Sequence, residues 1–133
     1  MYRNILVPIA YEPGQSPDKE LAAARQLVTP GGKVTLLHVM EPVPFFAVDY
    51  MPEGYRDDLI GAVRADLAQH ASTFQNGEVA VRQGEAAREI LDHAEAEGVD
   101  CIVLATHRID TSLYGSTASR VVRYAPCAVH LLR

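Results

Sequence analysis

Apolar positions fall along the chain in two alternating patterns. Short continuous runs at 5–9 (ILVPI), 34–39 (VTLLHV), 101–105 (CIVLA) and 128–132 (AVHLL) are too short for helices and read as strands. Residues 78–82 (EVAVR) alternate in the manner of a further strand. Between these runs, apolar residues recur at helical spacing. Leu21, Ala24 and Val28 make one such face, and Leu59, Ile60, Val63, Leu67, Ala71 and Phe74 make a second. A third holds Ala87, Ile90, Leu91 and Ala94, and a short fourth helix leads from Gly115-Ser116-Thr117 to Tyr124. Ser16-Pro17 predicts an N-cap and a first helical residue. Thr29-Pro30-Gly31-Gly32, Asn76-Gly77, Gly98 and Pro126 supply the stops. A strand-helix unit used four times, closed by a last strand, predicts an α/β domain over 1–133. Strands that are apolar on both faces need helices on both sides, hence a doubly wound parallel sheet.

In an open parallel sheet, ligands bind beyond the carboxyl ends of the strands. That rule selects residues 9–16, 40–54, 83–86 and 106–117 before any motif is read. The last segment is the richest. Gly115 allows a close turn, and Ser116 and Thr117 open a helix whose unpaired N–H groups favour an anion. His107 and Arg108 follow the fourth strand and can reach the same anion, Arg108 with forked hydrogen bonds. The plainer reading makes Ser116 only an N-cap, worth about 1 kcal/mol. Neither GxxxxGK[ST] nor GxGxxG after the first strand is present.

Charge sharpens this picture. The chain of 133 residues has a net charge of −5, which argues against a nucleic-acid backbone as partner. Residues 102–133, however, carry four basic side chains and one acidic, and the excess lies beside the candidate anion loop. No run is long enough for a membrane span, and the first residues lack the pattern of a signal peptide, so a cytoplasmic protein is expected. Cys101 and Cys127 form no metal or redox motif and read as buried, reduced thiols.

The remaining polar features have ordinary readings. His38 is expected to be a satisfied sheet histidine, and His70 and His93 to be solvated on helix faces. Asp49, Glu53, Asp57 and Asp58 do not form a convincing metal site, since carboxylates at a helix start are favourable in themselves. Residues 42–54 hold Phe45, Phe46 and Tyr50, so this loop is either packed over its own sheet end or a contact surface. The last strand, if it lies at the edge, is a template for pairing with a second copy.

Five segments carry a family resemblance: Asn4-Ile5-Leu6-Val7-Pro8, Leu37-His38-Val39, Gln83-Gly84-Glu85-Ala86-Ala87-Arg88-Glu89-Ile90-Leu91, Asp100-Cys101-Ile102-Val103-Leu104-Ala105, and the stretch from Gly115-Ser116 through Val121, Ala125 and Cys127 to Val129. Taken together and in this order, they resemble the universal stress protein family. The resemblance implies a five-stranded sheet in order 3-2-1-4-5, a homodimer through the fifth strand, and binding of ATP or another adenine nucleotide, with Mg²⁺ carried by its phosphates. It further implies that Pro8 shapes the floor of the site, the Val39 backbone meets the base, and Thr106, His107, Arg108, Gly115, Ser116 and Thr117 surround the phosphates. The sequence departs from the family pattern at Ala10, where an acidic residue commonly contacts the nucleotide. Ala105 and Arg108 replace the two motif glycines, and only residues 109–114 separate Arg108 from Gly115. A branch with a similar Thr106-His107-Arg108-x-Asp110 stretch keeps nucleotide binding. The expected role is a small stress-response binding module rather than an enzyme, with unidentified protein partners. The alternatives are a nucleotide-free interaction protein, or slow autophosphorylation using Ser116, Thr117 or Asp110.

Overall fold

A computed structural model of the chain describes residues 1–12, 14–106 and 116–133. The apolar runs become β1 (Tyr2–Pro8), β2 (Val28–Met40), β3 (Gly77–Gln83), β4 (Cys101–Ala105) and β5 (Ala128–Leu132). They alternate with α1 (Asp18–Leu27), α2 (Tyr55–Ala71), α3 (Ala86–Ala96) and α4 (Ser116–Tyr124), and a 3-10 helix spans Phe45–Tyr50. All strand pairings described are parallel, in the order β3-β2-β1-β4-β5. This is the expected doubly wound sheet.

Alternation along the strands divides the core in two. Ile5, Val7, Val34, Leu36, Cys101 and Val103 pack with Leu21, Ala24, Val63 and Leu67 of α1 and α2. Leu6, Leu37, Ile102 and Leu104 face the other way, onto Ala87, Ile90, Ala94, Ala118 and Val121 of α3 and α4. Both faces of the central strands are thus apolar, for the reason given above.

Three local expectations need correcting. Ser16 is not the N-cap of α1; Pro17 holds that position, and the Ser16 hydroxyl accepts from the Asp18 amide at 3.3 Å. Val28 and the Thr29-Pro30-Gly31-Gly32 stretch do not end a helix and form a loop. They begin β2, because Val28 is in register with Tyr2 and the Thr29 hydroxyl donates to the Tyr2 carbonyl at 3.2 Å. Ser116 is a helical residue of α4 rather than its cap. Where Gly98 was expected to close α3 in a left-handed conformation, its φ is +66°.

Among the described residues, no helix is long and apolar enough to cross a membrane.

Candidate functional site

The carboxyl ends of β1, β2 and β4 and the first turn of α4 enclose a cavity of about 200 Å³. Its wall at β1 is held from two sides. The Ile9 amide donates to the Leu37 carbonyl at 2.7 Å, and the Ile9 carbonyl lies 2.8 Å from His38 Nδ1. A carbonyl can only accept, so that ring nitrogen carries the proton. Tyr11 meets His38 edge-on, with ring centroids 4.9 Å apart, and its hydroxyl donates to Asp66 of α2 at 2.6 Å. Burial, and then the hydrogen bond and charge of Asp66, push the Tyr11 phenol well above its ordinary pKa, so it remains a donor. The loop after β1 is therefore anchored to α2.

On the opposite side, the Thr106 amide donates to the Leu132 carbonyl at 2.9 Å, tying the end of β4 to β5. Glu85 caps α3 by accepting from the Ala87 and Arg88 amides, and its carboxylate also takes Arg120 of α4 at 2.6 Å. The Arg120 hydrogen bond, with help from the two amides, holds the Glu85 carboxyl below its usual range. This tie joins the start of α3 to α4, and Ala86, Ser116 and Thr117 of these helices line the cavity.

Of the residues singled out from sequence, Pro8, Ala10, Val39, Thr106, Ser116 and Thr117 all line the cavity. His107, Arg108 and Gly115 lie outside the described residues. Ser116 and Thr117 stand in the first turn of α4, where backbone amides have no intrahelical acceptor, and their hydroxyls add further donors. Val39 belongs to β2 and this turn follows β4, strands on opposite sides of β1, so the cavity wall combines apolar residues with hydrogen-bond donors.

Sequence reasoning missed Glu12 and Glu20, which also line the cavity, and it read His38 as a sheet residue only. Glu20 is 3% exposed. Its spacing was the available signal, because it lies one turn before buried Ala24 on α1. His93 overturns its expectation as a solvated residue. It is buried on α3, with the Arg82 guanidinium 3.3 Å from its Nδ1. Burial and then the charge of Arg82 lower its pKa. Cys101 is buried, which pushes its thiol up to about 11, and burial raises that of half-buried Cys127 as well. Neither is poised as a nucleophile. Among the described residues, no group of three or more His, Cys, Asp or Glu side chains is arranged to hold a metal ion.

This architecture recurs in known proteins. The family model described as "Universal stress protein family" matches residues 1–133. The chain belongs to the universal stress protein family. A universal stress protein from Methanothermobacter thermautotrophicus is 33% identical over 144 residues, covering 100% of this chain and 97% of its own. Among solved structures, that of hypothetical protein MJ0577 superposes with a TM-score of 0.84 at 21% identity, covering 99% of this chain and 96% of its own. The Archaeoglobus fulgidus universal stress protein in complex with dAMP has a TM-score of 0.68 at 20% identity, covering 99% of this chain and 98% of its own. At these identities the two solved structures speak for the fold of this universal stress protein.

Proposed function

We propose that this universal stress protein is a cytoplasmic binding module that takes an adenine nucleotide, ATP above all, in the cavity at the carboxyl ends of β1, β2 and β4. The observation that carries this reading is one cavity lined both by Val39 of β2 and by Ser116 and Thr117 in the first turn of α4. A relative of the same fold in complex with dAMP supports the ligand class. The base lies against the Val39 backbone, over a floor shaped by Pro8. Thr106, Ser116, Thr117 and the Gly115 amide donate to the phosphates, and His107 and Arg108 supply their counter-charge. Ala10 offers the nucleotide no carboxylate. The triphosphate brings any Mg²⁺ with it, so no cage of protein ligands is required.

Two copies pair through β5, whose only neighbour in the sheet among the described residues is β4. Equilibrium dialysis with ATP and dAMP, on the wild type and on Arg108→Ala, tests the site. Saturable binding that the substitution weakens is the expected result. No binding at millimolar nucleotide, or an unchanged Kd in the variant, removes the assignment. Sedimentation of Val129→Pro, which takes an amide from the open edge, tests the pairing and is expected to give monomers.

A further inference from the structure

The segment between β2 and α2 is far from packed over its own sheet end. Phe45, Phe46 and Tyr50 are 89%, 68% and 87% exposed, and Val48, Tyr55 and Leu59 are exposed beside them. Six of the ten large apolar side chains exposed among the described residues therefore lie between 45 and 59. The 3-10 helix that presents the first four is closed by backbone hydrogen bonds, Ala47 to Pro44 and Met51 to Val48, and Phe45 and Phe46 stack edge to face with centroids 5.8 Å apart.

Charge is concentrated in the same place. Residues 41–59 hold Glu41, Asp49, Glu53, Asp57 and Asp58 against Arg56, a net −4 out of −5 for the whole chain. Arg56 is occupied in holding the loop to the sheet, donating to the Glu41 carbonyl at 3.0 Å. No cation among the described residues pairs with Asp49, Glu53, Asp57 or Asp58. An exposed aromatic cluster rimmed by one sign of charge is a recognition surface, and that sign selects its occupant.

Anionic lipid and nucleic acid are repelled by such a rim. A second copy is poorly matched. The other exposed apolar helix face, Val122 and Tyr124 on α4, is flanked by Arg120, which is committed to Glu85, and by Arg123, which lies over the Tyr124 ring at 5.4 Å. We infer that the Phe45–Leu59 face docks a partner protein through a segment that sets bulky apolar side chains between several Lys or Arg residues. This site lies apart from the nucleotide cavity, none of whose lining residues belongs to it. It stands whether or not a nucleotide binds.

The test uses the whole chain and two synthetic peptides of identical Leu and Lys content. One is patterned as an amphipathic helix of about five turns, and the other has its apolar face scrambled. Fluorescence anisotropy in roughly 0.15 M salt, where charges more than a Debye length apart are screened, is expected to show the patterned peptide binding about tenfold more tightly. Replacing Phe45, Phe46 and Tyr50 by Ser removes that preference. Replacing Asp49, Asp57 and Asp58 by Asn, and Glu53 by Gln, weakens binding and flattens its dependence on salt. None of these side chains is buried, so far-UV circular dichroism and thermal unfolding stay as in the wild type. Equal binding of the two peptides, or a preference that survives the triple Ser variant, overturns the inference. So does self-association lost in that variant, which makes the occupant a second copy. Binding to phosphatidylserine vesicles that needs the same three aromatics also overturns it.

Discussion

The two ends of the sheet are built on opposite terms. At the amino ends, the polypeptide bonds largely to itself, the buried Asn4 Oδ1 excepted. Asp100 accepts from the amides of Arg3 and Asn4 at 2.9 and 3.0 Å, its own amide donates to the Asn4 carbonyl, and the Asn4 side chain donates to the Glu97 carbonyl at 2.8 Å. Arg25 closes α1 onto the turn after α2, donating to the Thr73 carbonyl and hydroxyl with its guanidinium 4.5 Å from the Phe74 ring. At the carboxyl ends, backbone and side chains instead surround a cavity, and the first turn of α4 forms part of its wall. The lesson is a division of labour. One end stabilises the fold, and the other keeps polar groups available at some cost in stability.

The sharpest way to break this contrast is at the amino end. Gly77 begins β3 so close to α2 that an added Cβ would run into the Ala71 carbonyl, a backbone atom that cannot swing aside. Gly77→Ala is expected to cost about 3 kcal/mol, at the upper end for overpacking, measured as a loss in urea midpoint. Its folded fraction should bind nucleotide with unchanged Kd. Affinity that falls with stability would show that the two ends are not separate. Asp100→Ala should follow at about 2 kcal/mol, because it strands two backbone donors, one of them half-buried. Asp100→Asn keeps an acceptor oxygen and loses less.

The carboxyl end predicts the reverse. Thr117→Val keeps shape while removing a hydroxyl from the cavity wall. Nucleotide binding should weaken roughly five- to tenfold, about 1 kcal/mol, with stability within ~0.5 kcal/mol of wild type. Calorimetric titration together with thermal unfolding separates the two quantities. A variant that unfolds early yet binds normally would invert the assignment of roles.

How much of this was legible depends on whether the signal is local. Cys101–Ala105 and Ala128–Leu132 came out of the apolar pattern with their observed bounds, since a continuous run flanked by polar or breaking residues has no other plausible state. The start of β2 did not, because Pro30 and Gly31 are turn-formers by themselves. They join the strand only through contacts with Tyr2 and with the Gln75 side chain, which accepts from the Gly31 amide at 3.2 Å. The same holds at the site. Ser116 and Thr117 were found because the topology of parallel sheets says where to look, whereas Pro8 and Val39 came only from the family resemblance. Glu12 lies in the selected 9–16 segment and His38 near the end of β2, so sheet topology places both, whereas Glu20 reaches the cavity only through the packing of α1 against the sheet.

His93 provides the finest test of the contrast, because it is a buried polar side chain that does not line the cavity, on α3 against Arg82 of β3. Its Nδ1 accepts from Arg82, which also pairs with Glu89 at 2.9 Å, so the neutral ring is the one that fits. Burial first and Arg82 second lower its pKa from the ordinary 6.5, and Lys33 acts in the same direction while Glu97 opposes. Over the interval between the lowered folded value and 6.5, the unfolded chain binds the proton that the folded one refuses. The stabilisation is therefore complete above about pH 6.5 and is lost as pH falls through the folded value. Urea midpoints at about pH 8, 6.5 and 5 should decline on acidification, and His93→Gln should remove part of that slope. This is expected to be the smallest of the four effects. A midpoint that rises on acidification, or a slope untouched by the substitution, would mean that the neutral ring is not what Arg82 selects. If nucleotide affinity stays level across the same range while stability falls, the polar groups that hold the sheet and those that serve the cavity are separable by pH as well as by mutation.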